Sequence, residues 1–113
     1  EREGVGLKTA LNRLRNEDRE YGYIVGDKLD FHGIISVDSV DQAIKSGADK
    51  LSAAFLPDIE AVSHDTQLSD LIGTVAHTPC GVPVVNENGK YLGVINRANL
   101  LATLDREGDG ANG

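Results

Sequence analysis

Residues 81–104 read GVPVVNENGKYLGVINRANLLATL, and residues 21–44 read YGYIVGDKLDFHGIISVDSVDQAI. The two stretches align without a gap when the chain is displaced by 60 residues. The matched positions are identical or similarly apolar: Ile24 with Val84, Val25 with Val85, Phe31 with Tyr91, Gly33 with Gly93, Ile34 with Val94 and Ile35 with Ile95. The chain is therefore interpreted as two copies of one structural unit, repeat 1 and repeat 2.

Each repeat shows the same succession of predicted elements. A first helix is predicted from apolar residues at helical spacing: Leu7, Ala10, Leu11 and Leu14 in repeat 1, and Leu68, Leu71, Ile72 and Val75 in repeat 2. Two short strands follow, at 23–25 and 31–35 in repeat 1 and at 82–85 and 91–95 in repeat 2. Between the strands of repeat 2, Asn88-Gly89 favours a tight hairpin turn. A second helix closes each unit, at about 38–46 and 97–105, and a short strand at 61–63 precedes the first helix of repeat 2. The predicted helix N-caps are Asp38 and either Asp65 or Thr66.

The predicted fold is α/β of the α+β type, with two β-α-β-β-α repeats packed sheet against sheet about a pseudo-twofold axis. A unit of about 50 residues buries too little apolar surface to be stable alone, so the two repeats are expected to fold together. We expect repeat 1 with its lead-in helix over 1–56, repeat 2 over 57–105, and a flexible acidic C-terminal tail over 106–113.

Composition narrows the class of function. The 113 residues carry a net charge of −7, 40% hydrophobic residues, one cysteine and no methionine. Such a surface repels phosphate backbones, so no nucleic acid is expected as a partner, and membrane contact is expected to be peripheral only. A single cysteine forms no internal disulfide and suits a reducing cytosol. The absence of Met leads us to expect a chain that begins inside a longer protein.

Candidate catalytic and metal-binding residues do not form recognisable patterns. His32, His64 and His77 lack the short spacing of metal ligands, and Cys80 has no second cysteine nearby. No acid–base pair stands out in the sequence. The sequence therefore predicts no catalytic residue and no metal site.

The repeat resembles a tandem pair of CBS domains, a regulatory module. The resemblance is carried by Gly81-Val82-Pro83-Val84-Val85, by the turn at Gly89 and by Gly93-Val94-Ile95-Asn96, with a more divergent first copy. A narrower similarity lies in residues 17–23, 33–39, 76–85 and 104–108. These segments resemble the C-terminal region of the ATP-binding subunit of glycine betaine/proline ABC importers.

The resemblance implies a ligand-binding cleft. In nucleotide-binding CBS repeats, a Ser or Thr ends the second strand and an Asp follows three residues later. The corresponding pairs here are Ser36 with Ser39 and Asn96 with Asn99, and neither contains the Asp. This departure disfavours AMP or ATP but leaves open a ligand held mostly by backbone groups. The implied cleft residues are Tyr21, Gly22, Tyr23, Ser36, Ser39, Ser63, Gly81, Val82, Pro83, Asn96 and Asn99.

The resemblance also implies a non-catalytic role in a transporter at the cytoplasmic face of the membrane. No cofactor is expected in this chain, while ATP would bind an upstream domain of the parent protein. The expected partners are a second copy, paired through the CBS helices, and the importer's permease subunits. Three regulatory inputs stay open: ionic strength acting on the acidic surface, an adenine or cyclic dinucleotide in the cleft, and plain dimerisation without an input. Ionic or purely structural regulation is favoured over a nucleotide because neither repeat has the Asp. The observation behind the ionic input is that residues 57–113 carry 3 basic and 8 acidic side chains, against 8 and 10 in residues 1–56.

Overall fold

A computed structural model describes residues 6–102 of the chain. The elements are α1 (Leu7–Asn16), β1 (Tyr21–Val25), β2 (Phe31–Ser36), α2 (Val37–Lys45), a 3-10 turn (Leu51–Ala54), β3 (Val62–Ser63), α3 (Leu68–His77), β4 (Val82–Val85), β5 (Tyr91–Ile95) and α4, which is helical over 97–102. The predicted order of helices and strands is thus confirmed over this range. The remainder of the helix predicted to 105, and the tail expected at 106–113, lie outside the described residues.

Repeat 1 builds its core where the helical spacing predicts it. The four apolar residues of α1 (Leu7, Ala10, Leu11 and Leu14) are all buried. They pack with Ile24 and Ile35 of the hairpin and with Val40 of α2. The 3-10 turn that follows α2 adds Leu51 and Ala54 to the same cluster, so the helices and one face of the β1–β2 hairpin form one core.

The two hairpins have the same register. β1 and β2 are antiparallel, with Ile24 opposite Gly33, and the register shifts by one residue between Ile24 and Val25. β4 and β5 repeat this arrangement, with Val84 opposite Gly93 and the same shift after Val84. In repeat 2 the short β3 runs parallel to β4, which gives the sheet order β3-β4-β5. The 60-residue repeat seen in the sequence is therefore a repeat of backbone structure.

The hairpin tips of the two repeats meet each other. The Tyr91 amide donates to the Leu29 carbonyl at 2.8 Å, and the Phe31 amide donates to the Gly89 carbonyl at 3.3 Å. These two hydrogen bonds are related by the 60-residue displacement. The Lys90 ammonium donates to the Asp30 carboxylate beside them, and the rings of Phe31 and Tyr91 stack with centroids 6.2 Å apart. The described contacts therefore join repeat 1 to repeat 2 in a pseudo-twofold manner.

The turn positions show how the repeats diverged. Gly89 has a φ of 77°, as the tight hairpin turn requires, and its amide donates to the Asn86 carbonyl at 3.0 Å. Leu29 occupies the equivalent position with a φ of 64°, and its amide donates to the Gly26 carbonyl at 3.0 Å. A leucine in the left-handed region is strained, so repeat 1 keeps the turn geometry without the residue that favours it.

The predicted N-caps were wrong. Ser36, not Asp38, caps α2: the Ser36 hydroxyl accepts from the Ser39 amide at 2.9 Å, and the Ser39 hydroxyl accepts from the Ser36 amide at 2.8 Å. The helix of repeat 2 begins after Gln67, with no side-chain cap, rather than after Asp65 or Thr66. Asp65 is engaged with the Ser63 hydroxyl instead. Reciprocal hydrogen bonding between Ser36 and Ser39 therefore marks the start of α2, whereas α3 starts without a side-chain cap.

The core of repeat 2 is smaller than helical spacing predicted. Val75 is buried with Val82 and Leu100, while Leu68 and Leu71 pack around them only partly buried. Ile72, predicted to face the core, is 39% exposed. It lies on the flank of α3 beside the buried row, so an apolar residue at helical spacing does not have to be buried.

Candidate functional site

Two clefts occupy equivalent places in the repeats. Cleft 1, of about 370 Å³, lies between the end of α1 and the start of α2 and is lined by Leu14, Arg15, Asp18, Arg19, Glu20, Tyr21, Ser36, Val37 and Asp38. Cleft 2, of about 320 Å³, is lined by Val75, Thr78, Pro79, Cys80, Gly81, Asn96, Arg97 and Ala98. Each lining residue of cleft 2 lies 60 positions after a lining residue of cleft 1. The repeat thus produces two clefts of one design.

The two clefts differ in charge. Two arginines and three carboxylates line cleft 1, whereas Arg97 is the charged side chain among the residues that line cleft 2. The formal charge of the lining is therefore −1 in cleft 1 and +1 in cleft 2. An anionic ligand would meet two arginines and three carboxylates in cleft 1, and Arg97 without a carboxylate among the lining residues of cleft 2.

The polar pairs expected to bind a ligand form capping interactions. Ser36 and Ser39 form a reciprocal capping box at the start of α2. Asn96 and Asn99 form the same pattern at the start of α4: the Asn99 amide donates to Asn96 Oδ1 at 2.9 Å, and the Asn96 amide donates to Asn99 Oδ1 at 2.6 Å. These side-chain atoms satisfy orphan amides of the helices. A ligand at either pair would share atoms that already hold a helix start.

Tyr23 links the repeats at the edge of cleft 2. Its hydroxyl donates to the Gly81 carbonyl at 2.6 Å, and its ring stacks with Tyr91 at a centroid distance of 6.5 Å. Burial raises the pKa of Tyr23 well above its ordinary value, with a further contribution from Cys80. Burial also raises the pKa of Cys80, partly offset by its hydrogen bond with Tyr23. Cys80 is therefore a neutral thiol at physiological pH, which disfavours a nucleophilic role.

A third cleft adjoins cleft 1 at the linker between the repeats. This linker cleft, of about 380 Å³, is lined by Tyr21, Ser36, Leu56, Pro57, Asp58, Ile59, His77, Thr78 and Pro79. It shares Tyr21 and Ser36 with cleft 1 and Thr78 and Pro79 with cleft 2. A molecule bound here would touch both repeats and the segment that connects them.

The structure brings together only some of the predicted cleft residues. Tyr21 and Ser36 line cleft 1 and the linker cleft, and Gly81 and Asn96 line cleft 2. Gly22 and Tyr23 line a separate cavity of about 180 Å³ beside Tyr91. The other predicted residues are used in other ways: Val82 and Pro83 are buried, Ser63 binds Asp65, and Ser39 and Asn99 take part in the caps.

Sequence reasoning missed the residues that give the clefts their charge. Arg15, Asp18 and Arg19 enter cleft 1 from the end of α1 and the loop after it. Arg97 enters cleft 2, where its guanidinium also donates to the Ala76 carbonyl at 3.1 Å. The sequence repeat could have located these residues, because each residue that lines cleft 2 lies 60 positions after a residue that lines cleft 1.

Two further structural findings concern metals and membranes. Across residues 6–102, His, Cys, Asp and Glu form no group of three placed to hold a metal ion. Within the same range, no helix is both long and apolar enough to cross a lipid bilayer.

Comparison with known proteins defines the class. Residues 53–106 match the family model of the CBS domain. The structure of CbpB in complex with c-di-AMP superimposes with a TM-score of 0.81 at 14% identity, over 97% of this chain and 79% of that one. Residues 53–106 therefore match the CBS family by sequence, and the chain as a whole has the fold of paired CBS domains.

A more specific relationship follows from sequence identity. The chain is 44% identical over 110 residues to the glycine betaine/proline betaine transport system ATP-binding protein ProV of Salmonella typhimurium, covering 97% of this chain and 27% of ProV. Staphylococcus aureus OpuCA superimposes with a TM-score of 0.76 at 22% identity, over 94% of this chain and 90% of that one. The chain is therefore homologous to part of ProV, and it shares the fold of OpuCA. It spans about a quarter of the length of the curated relatives it matches.

Proposed function

We propose that this chain is the regulatory CBS pair of the ATP-binding subunit of an ABC importer for glycine betaine or proline. The observation that carries the proposal is the 44% identity to ProV over 97% of the chain. In this proposal the chain catalyses nothing. ATP binds a domain that precedes it in the parent protein, which lies at the cytoplasmic face of the membrane and contacts the permease subunits. Residues 1–56 and 57–105 act as its two halves.

Ionic strength is the input that the charge distribution favours. Two modules of net charge −7 repel each other when they are brought together in one importer. The Debye length falls from about 10 Å at 0.1 M salt to about 3 Å at 1 M, so this repulsion weakens as salt rises. A change of about 1–3 kcal/mol is enough to shift a balanced two-state equilibrium strongly. The rise in ionic strength during osmotic stress would then favour pairing of the modules, and pairing would activate transport.

Transport by the reconstituted importer tests this proposal. Uptake is measured across a salt series for the complete subunit and for a subunit in which two exposed carboxylates of repeat 2 are neutralised, as Glu60→Gln and Asp70→Asn. We expect uptake by the unchanged importer to rise with salt, and the variant, whose modules repel each other less, to reach the same uptake at lower salt. An unchanged salt response in the variant would exclude the role.

A nucleotide input is the second candidate. A structural neighbour is described in complex with c-di-AMP, and the linker cleft offers an aromatic ring at Tyr21 and a hydroxyl at Ser36. An adenine base would stack on the ring, and a ribose or phosphate would compete for the capping hydroxyl. The absence of the expected Asp in both repeats weighs against this candidate.

Calorimetry separates the two inputs. The chain is titrated with AMP, ATP and c-di-AMP at low salt. Heat that saturates, and that disappears in Tyr21→Ala but not in the control Leu92→Ala, a change at an exposed residue outside the clefts, would favour a nucleotide in the linker cleft. No heat at high micromolar ligand would exclude the nucleotide and leave ionic strength and plain dimerisation, which the salt series separates.

A further inference from the structure

A small cavity, called the tyrosine cavity, lies where β1 of repeat 1 approaches β5 of repeat 2. Its volume is about 180 Å³, and the residues that carry the argument are Leu14 of α1, Glu17 and Arg19 of the loop after α1, Tyr23 of β1 and Tyr91 of β5. It shares Leu14 and Arg19 with cleft 1 and is otherwise lined by different residues. Pockets for drug-sized ligands measure roughly 300–1,000 Å³, so the tyrosine cavity fits a molecule smaller than a nucleotide.

Two tyrosine rings from different repeats border the tyrosine cavity. The rings of Tyr23 and Tyr91 have centroids 6.5 Å apart and planes inclined by 28°, and the Tyr23 hydroxyl is held by the Gly81 carbonyl. Burial raises the pKa of both hydroxyls, so both side chains are neutral phenols at physiological pH. A cation within about 6 Å of the centroid of such a ring is attracted to its electron-rich face. The rings therefore favour an organic cation with an apolar surface.

A loose ion pair gives the tyrosine cavity both signs of charge. Arg19 Nη1 lies 3.7 Å from Glu17 Oε2, and both side chains are more than half exposed. An exposed pair at this distance contributes little to stability, so a ligand that offers each partner a closer opposite charge replaces it at small cost. The formal charge of the lining is zero, which suits a zwitterion. Its carboxylate would meet Arg19, and its ammonium would meet Glu17 and the rings.

The tyrosine cavity is not a product of the sequence repeat. The positions 60 residues after Arg19 and Tyr23 hold Pro79 and Pro83. The guanidinium and one of the two rings therefore have no counterpart across the pseudo-twofold axis. The repeat accounts for cleft 1 and cleft 2 as a pair, whereas the tyrosine cavity depends on residues that are present in repeat 1 only.

We propose that the tyrosine cavity binds a small zwitterion with a quaternary ammonium group, such as glycine betaine. A methylated ammonium has no N–H group, so it loses no hydrogen bond to water when it lies against the rings, whereas the ammonium of proline does. The regulatory meaning of the site rests on the proposed function: the chain would sense the solute that its importer delivers. Because Tyr23 and Tyr91 belong to different repeats, the bound solute would also hold the repeats together.

Nuclear magnetic resonance titration of the isotope-labelled 113-residue chain with glycine betaine tests the proposal. We expect the amide signals of Gly22 and Tyr91 to shift saturably, with a dissociation constant of about 1–10 mM. Proline should bind at least tenfold more weakly than glycine betaine. Sucrose, an osmolyte that is excluded from protein surfaces, controls for effects of added solute alone.

Arg19→Gln tests the carboxylate end of the ligand. It should weaken binding of glycine betaine at least threefold and leave binding of choline, which lacks the carboxylate, within about twofold. Arg15→Gln is the matched control, because Arg15 lines cleft 1 but not the tyrosine cavity.

Substitutions at Tyr91 test the aromatic end. Tyr91→Leu should weaken binding at least tenfold, whereas Tyr91→Phe, which keeps the ring face, should weaken it less than threefold. Tyr21→Leu is the control, because Tyr21 lines cleft 1 and the linker cleft but not the tyrosine cavity. Amide spectra verify the fold of each variant, and Arg19 is exposed, so Arg19→Gln serves if Tyr91→Leu misfolds.

Three results would overturn the proposal. They are shifts with glycine betaine that do not saturate or that equal those with sucrose, binding of proline as tight as that of glycine betaine, or a Tyr21→Leu effect as large as that of Tyr91→Leu. The salt series on the importer keeps this proposal and the proposed function distinguishable. A salt-responsive importer whose chain does not bind glycine betaine would overturn the binding site alone, while a chain that binds it in an importer without a salt response would overturn the proposed function alone.

Discussion

Cleft 1 and cleft 2 share a backbone design and differ in chemistry. The helix caps at Ser36 and Asn96, and the register shifts after Ile24 and Val84, recur 60 residues apart. The side chains around them have changed from charged in repeat 1 to mostly neutral in repeat 2. The two repeats thus share the backbone hydrogen bonding of their caps and hairpins, while the side chains that line the two clefts have diverged.

The two cores differ in the same way. Among the described residues, ten form the buried cluster of repeat 1, whereas three form the buried part of the cluster in repeat 2. Repeat 1 is therefore expected to contribute more of the stability than repeat 2. The predictions that follow test this division.

The largest effect is expected in the core of repeat 1. Ile24 is fully buried, so Ile24→Ala should lower the free energy of unfolding by about 2–5 kcal/mol through lost burial and a new cavity. Val84, its counterpart, is only half-buried, and Val84→Ala should cost less than half as much. Urea denaturation of both variants measures the difference. Equal losses would show that the two cores contribute equally.

A smaller effect is expected at the helix caps. Ser36→Ala and Asn96→Ala should each cost about 1 kcal/mol, because each removes the acceptor for an amide in the first turn of a helix. Asp38→Ala is the control, since Asp38 makes no cap hydrogen bond to α2. Thermal or urea unfolding would contradict the assignment of the cap if Asp38→Ala cost more than Ser36→Ala.

The hairpin turns should respond in opposite directions. Gly89→Ala places a Cβ in the left-handed region and should cost about 1 kcal/mol. Leu29→Gly removes the same strain and should raise stability by less than that, because glycine also gains freedom in the unfolded chain. Denaturation midpoints of the two variants provide the test. A loss of stability in Leu29→Gly would show that the leucine side chain matters more than the turn.

The smallest effect is expected at the ion pair between the tips. The hydrogen bond from Lys90 lowers the pKa of the exposed Asp30 carboxyl. A lowered folded-state pKa stabilises above the unfolded pKa of about 4, and this contribution is lost as pH falls through the folded value. Lys90→Met should therefore lower the urea midpoint slightly at pH 7 and leave it unchanged near pH 2, with Lys50→Met as the control. A difference that persists at pH 2 would assign the effect to packing instead.

Sequence alone predicted the repeat and the order of its elements, because apolar spacing and turn glycines are local signals. It did not predict the caps, since Ser36 and Asp38 are both good capping residues and only the geometry of the turn decides between them. It also misplaced Ile72, because helical spacing marks the apolar side of a helix without marking its edge. The contact between Tyr23 and Gly81 joins residues 58 positions apart, and no local pattern encodes such a contact.

The surface between the repeats has a consequence for how the chain is made. Ile34 and Pro83 are fully buried, yet neither belongs to a helical core cluster. The hydrogen bond from Tyr23 to Gly81 and the stacking of Tyr23 and Phe31 on Tyr91 also join one hairpin to the other, so a polypeptide that stops in the linker would lose these contacts. We expect the two repeats to be poorly soluble when each is produced alone, and to fold when the two fragments are mixed.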